Sequence, residues 1–179
     1  VWLVDPIDTP GLSDLIDEHG DLAGVVLLLA RHRRDAAAIA NRHDLSVHVP
    51  RPVEADVDAP VERFSGELAD TGYVAHTVLE RLPWREAALY SEDRETLVRA
   101  EVLGTAPSVC APGERLGVHP AVRLFPPTTL TQFDPDHLLV GHGAGVHEDA
   151  AAAIGAAIRG SRRGIPRVAL RTLRQLSPF

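Results

Sequence analysis

Residues 24–29 read GVVLLL, six positions without one polar side chain. A strand with one face in water alternates apolar and polar residues, so an unbroken run marks a strand covered on both faces. Such cover comes from helices or a second sheet, and it directs the chain toward a layered α/β fold. The wider apolar stretch, 22–30, falls well short of the ~18 residues that a membrane span needs. Its flanks agree with the layered reading. VWLVD (1–5) has the composition of a strand. Thr9 and Pro10 are placed to be the N-cap and first residue of a helix with Leu12, Leu15 and Ile16 on its apolar face and Gly20 at its end. A second helix is expected over 34–43 and a further strand over 46–49.

The rhythm then changes. The stretch 50–60 is acidic and Pro-rich, the mark of a loop. Short strands are expected at 64–68, 72–79, 87–91 and 96–100, with SEDRE (91–95) as a hairpin turn between the last two. Residues 104–120 are rich in Gly and Pro and form a long loop, a feature that often carries function. A short helix is expected over 127–133, a strand over 137–140, then a tight turn, GHGAG (141–145). Helices over 148–159 and 167–176 close the chain, the last with Val168, Leu170, Leu173 and Leu176 as an apolar stripe.

A length of 179 residues suits one domain over 1–179. Every basic residue is Arg. Six of the 18 lie in 159–179, which holds no acid, so the rest of the chain sets 12 arginines against all 25 acids. An acidic body repels phosphate backbones, which argues against general nucleic-acid binding. The single cysteine, Cys110, excludes an internal disulfide and fits a reducing cytoplasm. The opening VWLVDPIDTP has neither the basic nor the apolar region of a secretory signal. Met is absent even at position 1, so a trimmed piece of a longer chain is expected.

The buried run leads into RHRRDA (31–36), and a later strand leads into VGHG (140–143). With the element order, these segments resemble the metallo-β-lactamase superfamily, whose fold is a four-layer αββα sandwich. The resemblance covers essentially the whole chain and implies that the family's first strands are lacking before Val1. It sets RHRRDA against the family's H-x-H-x-D-H motif. Arg31 and Arg33 then replace its first two His, Asp35 is its Asp, and Ala36 replaces its last His. Leu82 takes a later His position, Glu101 in LVRAE stands for a strand-end Asp, and His142 matches the last His.

Metal ligands must offer a lone pair, and a guanidinium offers none. Of the seven usual positions only Asp35, Glu101 and His142 qualify. A two-metal centre is therefore not expected, and a metal-free site is the first reading. Arg31 or Arg33 would fill the metal space and pair with Asp35 and Glu101, giving an ion-pair crevice of Arg31, Arg33, Asp35, Glu101 and His142 able to hold a small anion. The function that follows is non-hydrolytic: binding, regulatory or structural. A second reading is a hydrolase with one Zn or Mn ion on Asp35, Glu101 and His142, joined by His32 if the register shifts by one. A third is a protein-interaction module working through the Arg-rich helix at about 166–176, with another copy of the chain as one partner. His119, His147, Asp134 and Asp136 read as loop or helix-start residues, and Ser108 lacks the His-acid partners of a nucleophile.

Overall fold

The computed structural model describes residues 1–81 and 83–176, with side chains described as far as residue 170. It divides into two compact units, Val1–Leu89 and Tyr90–Phe179.

The first unit is built on β1 (Trp2–Val4), α1 (Leu12–His19), β2 (Gly24–Val26), α2 (Ala36–Arg42), β3 (Val47–Pro50) and β4 (Val61–Phe64). The strands form one sheet in the order β1-β2-β3-β4. Every pair is parallel, with Leu3 opposite Val25, Val25 opposite Val47 and Val47 opposite Val61. The apolar run is the centre of this unit: Val25, Val26, Leu27 and Leu28 are wholly buried and Leu29 almost so. The regular strand is shorter than the run. After Val26 the ladder gives way to local partners: Leu27 N–H donates to His48 O and Leu28 N–H to the Asp5 carboxylate. On α2, Ala36, Ile39 and Ala40 are buried, the i, i+3, i+4 stripe of a helix packed on one side.

Three expectations here need correction. Thr9 does not cap α1. Leu12 N–H donates to Thr9 O, closing a turn through Pro10, and Gly11 enters the helix at φ 88°, a backbone state that glycine adopts without steric cost. Of the apolar face expected for α1, Ile16 is buried while Leu15 is half exposed. The strand sought at 64–68 lies at 61–64. Its residues VERF are mostly exposed, as suits a charged edge strand that blocks further pairing. Strands β5 (Val74–Arg81) and β6 (Trp84–Ser91) follow and are neighbours in a second sheet.

The second unit takes in the end of β6, Tyr90 and Ser91. It continues with β7 (Thr96–Arg99), β8 (Leu103–Gly104), β9 (Gly117–Val118), β10 (His137–Val140), α3 (Ala150–Gly160) and α4 (Ile165–Leu176). The β6–β7 turn is closed by Glu95 N–H on Glu92 O. Strand β10 lies parallel to β7 with Leu138 opposite Leu97. The core holds Leu97, Val102, Leu103, Leu130, Leu138 and Ile154. The loop expected over 104–120 is pinned at its base by the antiparallel pair β8–β9. Its body is fastened by Arg123, which is 1% exposed. Arg123 donates to both Glu114 oxygens, at 2.9 and 2.6 Å, to Val109 O at 2.8 Å and to Ser161 O at 3.3 Å. On α4, Val168 is buried, but Leu170 is half exposed and so leaves the expected stripe. The side chains of Leu173 and Leu176 lie outside the described residues, as do those of Arg171 and Arg174.

Candidate functional site

In the first unit the segment after the apolar run forms a 3-10 turn, Ala30–His32, and then α2. Arg31 is exposed, with its guanidinium carbon 4.2 Å from the centre of the Trp84 ring, a cation–π contact. Arg33 is exposed. Asp35 accepts the N–H of Asp8 at 2.9 Å. Ala36 is wholly buried under α2.

His32 points inward, at 8% exposure. Its Nδ1 lies 3.0 Å from Asp5 Oδ2, while the other Asp5 oxygen accepts from Leu28 N–H at 2.8 Å. A carboxylate only accepts, so Nδ1 carries the proton and a neutral ring keeps its lone pair on Nε2. A carboxylate behind the imidazole is the arrangement that orients metal-ligating histidines. Asp5 went unnoticed in the sequence. Its only signal there is an acid at the end of a strand, VWLVD.

In the second unit Glu101 follows β7 and His142 follows β10. Glu101 Oε1 lies 3.8 Å from His142 Nε2 and 3.6 Å from His119 Nε2. His119, read from the sequence as a loop or helix-start residue, caps a 3-10 turn at Pro120–Val122 and also faces Glu101. Its Nδ1 accepts Ala121 N–H at 3.2 Å, so in the neutral ring Nε2 carries the proton and points a donor at the carboxylate. His119 is thus suited to orienting Glu101, whereas His142 is suited to sharing an ion with it. Two donors at about 2.1 Å from one tetrahedral zinc stand roughly 3.4 Å apart, close to the Glu101–His142 separation.

The GHGAG turn is built to hold His142. A Cβ on Gly141 would lie 2.5 Å from Ala100 O, and one on Gly143, where φ is 106°, would collide with Thr105 Oγ1. The loop returns the contact, since Thr105 and Ala106 N–H groups both donate to His142 O, at 2.9 and 3.0 Å. His147 Nε2 lies 2.8 Å from Ala144 O, and Asp136 accepts Asp149 N–H ahead of α3. Leu82, the remaining position matched by the resemblance, lies outside the described residues. Among the described residues no helix is long and apolar enough to cross a membrane.

The side chains of Arg31, Arg33 and Ala36 offer a metal ion no lone pair, whereas the Glu101 carboxylate and the His142 imidazole do.

No protein-family profile matches the sequence. No curated protein matches it either. Solved structures do. The metallo-β-lactamase DIM-1, in a crystal exposed to ceftazidime, is 14% identical with a TM-score of 0.62, over 92% of this chain and 79% of its own. TTHA1623, in a di-iron-bound form, is 17% identical with a TM-score of 0.61, over 86% of both chains. TMB-1 is 12% identical with a TM-score of 0.60, over 94% of this chain and 81% of its own. Backbone likeness of this extent at such low identity is a likeness of fold, and the chain has the metallo-β-lactamase fold.

Proposed function

We propose that the protein binds one divalent metal ion and uses it in hydrolysis. The observation that carries this reading is the Glu101–His142 pair, a carboxylate and an imidazole 3.8 Å apart with His119 aimed at the same carboxylate oxygen. A carboxylate and an imidazole suit zinc, and also manganese or iron. An ion held by this pair keeps coordination positions open for water, as catalytic sites require. A bound ion would supply Lewis acidity and lower the pKa of a water. The protein's own part is to orient Glu101 through His119. A relative in fold, TTHA1623, is described in a di-iron-bound form. The arginines at two motif positions reduce the ligand set here to one ion's worth.

The second reading is a non-hydrolytic binding or regulatory role without metal. Arg31, Arg33 and Ala36 favour it, because they stand where the resemblance asks for ligands. Elemental analysis of untagged protein after dialysis against zinc and manganese separates the two. About one equivalent per chain is expected, lost in Glu101→Gln and His142→Ala. Chelator-sensitive turnover of an ester, thioester or phosphoester would follow. Near-zero metal in the parent protein refutes the first reading and leaves the second.

A further inference from the structure

Charge is segregated along this chain. Residues 1–30 hold six acids and no Arg, and residues 159–179 hold six Arg and no acid. Each segment becomes a surface within its own unit. In the first unit Asp14, Asp17 and Glu18 are exposed on α1, and Asp21 is exposed just past its end. Among the described residues none of these four makes an ion pair, whereas Asp5 and Asp8 are taken by His32 and Arg42. Leu15, three residues before Glu18, is half exposed beside them. In the second unit Arg159, Arg163 and Arg167 recur every four residues from α3 through a 3-10 turn, Ser161–Gly164, into α4, and all three are exposed. Arg159 and Arg163 make no ion pair among the described residues. Arg167 donates to Pro112 O at 3.1 Å, and Glu114, which feels its charge, is bonded to Arg123. Leu170 is half exposed and three residues on from Arg167, so it shares that face, while Val168 is buried.

Like charges three and four apart destabilise a helix, so opposite charge brought from outside relieves a cost that each surface bears alone. A phosphate backbone is a poor source of that charge, because the acidic body repels it. An anionic membrane asks for a broad apolar helix face, and α4 commits Val168 to the core. The acidic face of α1 supplies the matching charge and a matching leucine. We propose that Arg159, Arg163 and Arg167 of one copy dock on Asp14, Asp17, Glu18 and Asp21 of a second copy of this chain, with Leu170 and Leu15 as the apolar centres. The docking uses none of the proposed metal donors, so it stands whether or not the protein holds metal.

The test is sedimentation velocity of the full chain in roughly 0.1 M and roughly 1 M salt, where charges act over about 10 Å and about 3 Å. The expected result is a reversible, concentration-dependent shift from monomer to dimer or larger species at low salt, weakened about tenfold or more at high salt. Arg159→Glu/Arg163→Glu and Asp17→Arg/Glu18→Arg should each sediment as monomers. All four side chains are exposed, so both variants should keep the parent's circular dichroism. Mixed in equal amounts, the two should associate again, since natural acids then meet natural arginines and the reversed charges meet each other. Arg33→Glu/Arg34→Glu, which changes net charge equally but lies outside both surfaces, should associate like the parent. A parent that stays monomeric at low salt overturns the proposal, including one whose arginines hold anionic vesicles or an acidic peptide instead. Association that survives both charge reversals, or that the mixture fails to restore, overturns it as well.

Discussion

Replacing Glu114 by Gln should strand a buried positive charge. Arg123 is 1% exposed, and the Glu114 carboxylate is its counter-charge through two short bonds. Gln keeps one acceptor oxygen but turns an NH2 group toward the other guanidinium nitrogen. The carbonyls of Val109 and Ser161 remain, so the guanidinium does not lose every partner. Breaking a buried pair costs about 3–5 kcal/mol. With two carbonyls retained, the lower end applies, about 3 kcal/mol. For a chain of this size that corresponds to a fall of roughly 6–12 °C in melting temperature, measurable by circular dichroism at neutral pH. The double variant Glu114→Gln/Arg123→Met carries no stranded charge and should recover part of the loss.

A pH scan tests the same pair from another side. Burial alone would raise the Glu114 pKa, but the hydrogen bonds from Arg123 and from Ala111 N–H, with the nearby guanidinium charges, hold it below the usual carboxylate range. A carboxyl depressed in the folded state stabilises the fold above its unfolded pKa. That contribution is lost as pH falls through the lower, folded pKa. The acid limb should therefore be steeper in the parent than in Glu114→Gln. A melting temperature for Glu114→Gln within about 2 °C of the parent would refute the reasoning.

Gly164→Ala attacks the same pair by sterics: its Cβ would overlap an Arg123 nitrogen and come within 2.6 Å of Glu114 Oε1, so a destabilisation of about 2 kcal/mol or more is expected in a urea titration. Gly143→Ala should lower both stability and metal content, since its φ of 106° and the Thr105 contact leave no room for a methyl group beside His142. Unchanged metal content in that variant would detach the GHGAG turn from the proposed site. His48 packs edge-on to Trp2 at 4.8 Å, and burial lowers its pKa, offset in part by Glu62. The unfolded chain then takes up a proton before the folded one does, so stability should decline as pH falls below about 6.5. His48→Phe should flatten part of that slope, the remainder including His76, which burial shifts the same way.

The sequence by itself determined the layered α/β class and the positions of most elements. Both follow from local periodicity: GVVLLL has to be buried on two faces, Ile39 and Ala40 fall on one side of a helix, and 137–140 forms a strand wherever its partner lies. It also limited which residues of the loop after the first buried strand can act as donors, since the side chains of Arg31, Arg33 and Ala36 have no lone pair while those of His32 and Asp35 do. Local signals misled where a turn competed with a cap, as at Thr9, and where an edge strand carried charge instead of alternation, as at 61–64. Only the tertiary structure decided the partners. Asp5 lies 27 residues from His32, and Glu101 lies 18 from His119 and 41 from His142. Nothing in a linear pattern says which imidazole nitrogen will meet a carboxylate. That choice is made when strand ends and loops are brought side by side, and with it the protonation pattern on which the site's chemistry depends.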